Sequence, residues 1–184
     1  MRAKDEIGAR SSDGRASWIM VWGVGGAMAL LSWGVARVTP HALEPAFDGS
    51  MTAVHWLLYA AMIVFNAWTE GYRTFQRVIT PRVLARAQYV ADHPGRVSLP
   101  FVPIFVAGYF GMQRRALIAR YVVLVVVVGL IVGMHFVPQP WRGIVDAGVA
   151  VGLGWGVVAM GVGLVRMLSG WRTDADPQIP EGWE

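Results

Sequence analysis

The sequence contains no cysteine. This excludes thiol–disulfide exchange, cysteine-ligated metals and iron–sulfur clusters. It also lacks a nucleotide-binding P-loop, a GxSxG nucleophile motif and an HExxH zinc motif. We therefore expect no metal, no cofactor and no nucleic-acid partner, and the absence of a catalytic motif favours a non-enzymatic protein over an enzyme.

Charge is scarce: 15% of the 184 residues are charged and 55% are hydrophobic. A soluble domain of this size would carry about 25% charged residues. Lysine is nearly missing, since Lys4 is the single lysine among sixteen basic residues. The arginines flank apolar runs, so the net charge of +4 indicates membrane topology rather than nucleic-acid binding. No cleavable signal peptide is predicted, because residues 1–17 are too polar.

The apolar runs predict an all-α, polytopic membrane bundle in a single domain. Residues 1–17 are predicted to be a polar cytoplasmic tail, and residues 169–184 an acidic, disordered tail. The bundle between them, residues 18–168, is predicted to have four transmembrane helices, at about 18–36, 51–69, 121–137 and 143–168.

Residues 81–112 are predicted to form a short interfacial or re-entrant segment. Residues 81–93 are amphipathic, which suits a helix on an anionic leaflet with Arg82 and Arg86 at the lipid headgroups. A solvated loop helix is the alternative. Residues 98–112 are apolar, but from Pro103 to Met112 a helix would cover only about 15 Å.

The distribution of arginine separates two topologies. If residues 98–112 do not cross, the chain has four spans and fourteen of its sixteen basic residues are cytoplasmic, all except Arg37 and Arg142. If they cross, the chain has five spans and the split is ten to six. The positive-inside rule favours four spans with both termini in the cytoplasm of a bacterial inner membrane.

A polar stripe follows the second predicted span. At 100° per residue, nearly all of its polar groups fall within one sector of about 100°, which must face protein or water rather than lipid. The cytoplasmic half of the stripe could form an inner polar layer of Asn66, Thr69, Glu70 and Arg73. The alternative is a packing hydrogen bond from Asn66 and a Glu–Arg pair at the headgroup level.

A second polar layer is predicted at the outer surface, from His55, His135, Arg142 and Asp146. Arg142 and Asp146 are one helical turn apart and can pair. Asp146 lies four residues into an apolar helix, and an intramembrane acid is a candidate functional residue. The alternatives are a structural ion pair next to Trp141 and axial haem ligation by the two histidines.

Glycine repeats predict close helix packing. Gly148, Gly152 and Gly156 make two overlapping GxxxG motifs in the last span. The first span has small residues at the same spacing, Gly23 with Ala27. These faces could bind one another, a second copy of the chain or another membrane protein, besides the lipid bilayer itself.

Two stretches carry a resemblance to known sequences. They are EGYRTFQRVITPRVLARAQ at residues 70–88 and PQPWRGIVDAGVAVGLGWG at residues 138–156. Together they resemble a group of small, uncharacterised inner-membrane proteins of proteobacteria. The resemblance implies an inner-membrane location and no particular activity, and it includes Glu70, Arg73, Arg82, Arg86, Arg142 and Asp146.

Three functions fit these observations. The first is an accessory, assembly or scaffold protein, whose glycine faces supply the packing surface. The second is a small transporter or proton-coupled component that uses His55, His135, Arg142 and Asp146. The third is a membrane enzyme that binds a lipid, a quinone or haem.

Overall fold

The computed structural model describes residues 2–180, with side chains from Gly14 onward. It is all-helical, with no strand in the described residues. The long helices are α1 (Arg2–Phe47), α5 (Arg114–Met134) and α6 (Trp141–Leu168). The other helices are α2 (Ala53–Asn66), a π segment (Ala67–Ile79), α3 (Thr80–Asp92), a 3₁₀ turn (Leu99–Phe101) and α4 (Val102–Val106).

Helix α1 is longer than its apolar run. It begins at Arg2, so the predicted polar tail is helical as far as the structure describes it. It also continues through Pro40 and Pro45, where a loop was predicted. Pro45 fits against Gly143 of α6, where a side chain on the glycine would collide with the proline ring. The close fit of α1 to α6 thus includes Pro45, a residue that would otherwise favour a helix end.

Helices α1 and α6 run antiparallel along most of their lengths. Pro45 lies against Gly143, Gly34 against Leu153, and Met28 against Gly161. Such small residues let two helix backbones approach closely, which is how helices associate inside membranes. The α1–α6 pair is the most extensive helix contact in the described structure.

Helix α2, the π segment and α3 form one uninterrupted helical rod. The rod lies beside α6 and runs in the same direction, since Asn66 meets Gly148 and Leu84 meets Gly163. The predicted polar face of α2 is therefore turned toward α6. Val64, on the opposite face, is 68% exposed, whereas Asn66 is 6% exposed.

Helix α3 is not a separate surface helix. Its apolar face, which includes Leu84, Ala87 and Val90, is buried in one core with Ile19 of α1 and Met160 of α6. This differs from the predicted position of residues 81–93 on a lipid leaflet. The apolar face that was expected to contact lipid is covered by α1 and α6.

Residues 98–112 fold back on the bundle. Helix α4 has five residues, which is too short to cross a bilayer. Val102, Phe105 and Val106 are buried, and Val106 and Pro103 cover Gly23 and Gly26 of α1. This excludes residues 98–112 as a span in this structure.

In the described part of the chain, three helices are long and apolar enough to cross a membrane: Gly14–Phe47, Arg114–Met134 and Trp141–Leu168. The α-helical part of the second predicted span, Ala53–Asn66, has only 14 residues before the π segment begins. Helix α5 differs from the others because none of its residues is buried. It does not pack along any other described helix.

The chain after Leu168 has no regular secondary structure up to Pro180, but it is held in place. The carbonyl of Gln178 accepts from the backbone amide of Gln113 at 3.0 Å. Gln88 of α3 accepts from the backbone amide of Thr173, and Arg172 pairs with Asp92. The composition predicted disorder, but the described part of this segment is ordered. These contacts hold it against α3 and against Gln113, just before α5. Residues 181–184 lie outside the described residues.

Candidate functional site

Two ends of the bundle are distinguished by their side chains. The histidine end comprises residues 37–55 and 135–146. The arginine end comprises residues 73–120 and 166–172. Polar groups that could carry function occur at both ends and, unexpectedly, between them.

The ion pair predicted in α6 is present at the histidine end. The Nε of Arg142 lies 3.5 Å from Oδ2 of Asp146. Asp146 is 7% exposed. The Arg142 Nε is buried and makes no hydrogen bond with a described residue. The pair is therefore held by charge attraction rather than by a well-formed hydrogen bond.

Helix α1 supplies polar groups to this end that the sequence did not indicate. Gln139 donates to the carboxylate of Glu44 at 2.9 Å and to the carbonyl of His41 at 3.2 Å. Its own side-chain oxygen accepts from the amide of Gly143 at 3.0 Å. His41 and Glu44 share one helix face, but only a helix continued through Pro40 brings them to α6.

The two predicted histidines have local partners. His55 forms a capping box with Thr52 at the start of α2 and stacks edge-on against Trp141, with ring centroids 5.0 Å apart. His135 contacts the carbonyl of Ile131 through Nδ1 at 2.8 Å. No three His, Asp or Glu side chains among residues 14–180 converge to hold a metal ion.

Asn66 and Glu70 lie between the two ends. The Asn66 amide donates to the Met62 carbonyl at 3.0 Å and lies against Gly148. A side chain on Gly152 would come within 2.7 Å of the Glu70 carboxylate. Gly152 is six residues beyond Asp146, about 9 Å along α6. Glu70 is therefore half-buried between its rod and α6, away from the ion pair at the histidine end.

The other two residues of the predicted inner layer have different surroundings. The Thr69 hydroxyl donates to the carbonyl of Phe65 within its own helix. Arg73 is exposed and forms no ion pair with Glu70. The inner layer is thus reduced to Asn66 and Glu70, because the wider π turn changes which residues share a face.

At the arginine end, Arg86 departs most from its predicted surroundings. It was expected at the lipid headgroups, but it is 2% exposed. Its guanidinium donates at 2.6–3.1 Å to four carbonyls and lies 3.9 Å above the Phe105 ring. The four carbonyls belong to Phe105, Phe110, Gly111 and Pro177. Arg86 therefore ties α3 to the turn before α5 and to the C-terminal segment.

Burial lowers the pKa of Arg86 to about 10, and the nearby positive charge of Arg120 acts in the same direction. The guanidinium still carries its charge at neutral pH. Arg120 donates to the carbonyl of Ala107 at 2.8 Å. Arg82 is exposed and remains compatible with a headgroup contact.

An apolar groove of about 420 Å³ separates α2 from the end of α5 near the histidine end. No polar side chain other than the Trp141 indole lines it. The lining residues are Leu58, Ala61, Met62, Phe65, Met134, Val137, Trp141, Ile144 and Val145.

Comparison of the chain with models of protein families, with curated proteins and with solved structures finds no match. Function is therefore inferred from the geometry of the chain itself.

Proposed function

We propose that the chain crosses a bacterial inner membrane four times and works as an accessory or assembly subunit of a membrane complex. Helices α1, α2 and α6 would form its rigid core. Helix α5 would bind a partner. Topology and partner binding rest on separate observations.

The course of the α2 rod supports the fourth span. The rod follows α6 from the contact of His55 with Trp141 to the contact of Leu84 with Gly163. A rod that accompanies α6 over this distance crosses whatever α6 crosses. The wider π turn keeps its backbone hydrogen bonds within the helix, as a bilayer requires.

The arginine end is the cytoplasmic end in this proposal. Arg37 and Arg142 are the two basic residues at the opposite end. An excess of arginine in short loops is typical of the cytoplasmic side. Both chain termini then lie in the cytoplasm, since four spans return the chain to the side on which it began.

The observation that carries the partner-binding role is an unused glycine face on α5. Gly129 and Gly133 form a GxxxG motif, and a side chain added at either would meet nothing within 4 Å. The glycines of α6 in the same pattern are all covered, by Asn66, Glu70 and Phe75. Such a motif inside an unburied helix is typical of helix association in membranes.

Charge favours a different protein over a second copy as the partner. Arg114, Arg115 and Arg120 stand at the start of α5. Two copies in the same orientation would bring six arginines together, which opposes pairing through α5. A partner helix with small residues and with acidic groups at its cytoplasmic end would be attracted instead.

Capture from native membranes in mild detergent tests this proposal. We expect Gly129→Leu with Gly133→Leu to release the partner and leave the abundance of the chain unchanged, because these glycines touch nothing within the chain. Gly154→Leu is the matched control, since its site is equally open on α6. A partner retained by the double variant would contradict the role of α5, and cross-linking between cysteines placed at position 133 would indicate a second copy.

A proton-coupled component is the second candidate, and the buried Arg142–Asp146 pair favours it. Asp146 is 7% exposed, and an acid within a membrane span is a candidate member of a proton pathway. Asp146→Asn should then abolish transport without changing abundance. Loss of abundance alone would assign the pair to stability.

A further inference from the structure

Glu70 is a half-buried acid on the side of the rod that packs against α6. Its carboxylate lies against Gly152, which offers no side chain. It makes no hydrogen bond or ion pair with any described residue. The rod is π-helical around it, from Ala67 to Ile79. Long π stretches are rare and are often found at functional sites.

The helices around Glu70 offer it no counter-ion. Helix α6 has no titratable side chain between Asp146 and Arg166, and α1 has none between Arg15 and Arg37. Helix α5 has none between Tyr121 and His135. On its own rod the nearest titratable groups are the Tyr72 phenol and the exposed Arg73 and Arg77, and the Tyr59 phenol lies further along the chain.

Ionising a carboxylate in these surroundings costs free energy. No opposite charge and no hydrogen-bond donor replaces the water that a carboxylate binds in solution. Ionisable groups in this situation take up a proton instead. We propose that Glu70 forms a proton-binding site within the four-span bundle. This inference rests on the four-span course given in the proposed function, because the rod must cross the bilayer for Glu70 to lie within it. It uses neither α5 nor the histidine end, so a failure of the partner-binding role would leave it standing.

The probe is dicyclohexylcarbodiimide, which dissolves in lipid and reacts with protonated carboxyl groups. A carboxyl oxygen bonds to the central carbon of the carbodiimide, and the carboxyl proton moves to a carbodiimide nitrogen. The acyl group then shifts from oxygen to nitrogen and gives a stable N-acylurea. The reaction is an addition, so nothing is oxidised and nothing leaves.

The purified full-length chain in detergent is treated with this probe and mapped by mass spectrometry. We expect the label on Glu70 and its loss in Glu70→Gln. Glu44→Gln is the matched control and should keep the label, because Glu44 is an exposed carboxylate that accepts from Gln139. Labelling should fall about tenfold per pH unit once the proton is lost. No label, or a label that survives Glu70→Gln, would overturn the proposal.

Two further measurements test whether Glu70 holds a proton or a metal cation. Raising the pH should lower the heat stability of the wild type and not that of Glu70→Gln, because only the wild type gains an unpaired charge. An equal loss of heat stability in the wild type and in Glu70→Gln would contradict the proposal. Protection of Glu70 from the probe by sodium chloride, but not by choline chloride, would overturn it in favour of a site for a metal cation.

Discussion

The side chain of Asn66 lies on Gly148. A side chain at position 148 would come within 3.0 Å of the Asn66 Cγ and of the Met62 carbonyl oxygen. Four residues further along each helix, Glu70 repeats the arrangement on Gly152. Gly148 and Gly152 of α6 thus form the surface against which the polar stripe of the rod packs. The close packing requires that these positions have no side chain.

The first prediction concerns this surface. Gly152→Leu should lower the free energy of unfolding of the bundle by about 1–3 kcal/mol. The new side chain would collide with Glu70 and push the rod away from α6. Heat unfolding in detergent measures the effect. Gly154→Leu, two residues on and facing open space, should unfold at the temperature of the wild type. Equal stability of both variants would mean that α2 does not rest on α6.

The second prediction concerns the rotation of α2. A cysteine at position 66 should resist a lipid-soluble thiol reagent, whereas one at position 64 should react readily. The chain has no other cysteine to confuse the result. Asn66→Leu should also cost more than Val64→Leu, by about 1–2 kcal/mol, since a buried hydrogen bond is lost. The reverse labelling pattern would show that the helix is turned the other way.

The third prediction concerns Arg86. Arg86→Met should destabilise the chain by about 3 kcal/mol or more, because it leaves four carbonyls without their donor. The loss should appear as faster hydrogen exchange or proteolysis in residues 105–113 and 171–180. Arg82→Met is the control, since Arg82 is exposed on the same helix and should change little. Exchange in both segments that matches the wild type would argue against this role of Arg86.

The fourth prediction is the orientation in the membrane. Reporter proteins fused within residues 112–120 and at the C-terminus should both report the cytoplasm, because fourteen of sixteen basic residues are assigned to that side. A fusion in the chain between α1 and α2, next to Gly49, should report the periplasm. A periplasmic signal from either of the first two fusions would exclude the four-span arrangement.

Several features could be predicted from the sequence because they depend on residues near one another in the chain. Hydropathy over about 20 residues indicated a helical membrane protein. The 100° spacing of polar residues indicated that Asn66 faces inward and Val64 outward, as the structure has them. The pairing of Arg142 with Asp146 followed from their spacing of four residues.

Other features depended on helices that are distant in sequence. Which surface the glycines of α6 contact was open until the α2 rod was found beside them. His41, Glu44 and Gln139 meet at the histidine end because α1 continues through Pro40 and Pro45.

Burial likewise could not be read from periodicity, since it depends on what covers a helix face. Arg86 has the spacing of a surface residue, yet the turn before α5 and the C-terminal segment enclose it. The surroundings of Glu70 were set by the parallel course of the rod and α6, which places its carboxylate against Gly152. Local sequence thus determined which residues form helices and which faces are polar, whereas only tertiary packing decided which polar groups meet and which remain alone.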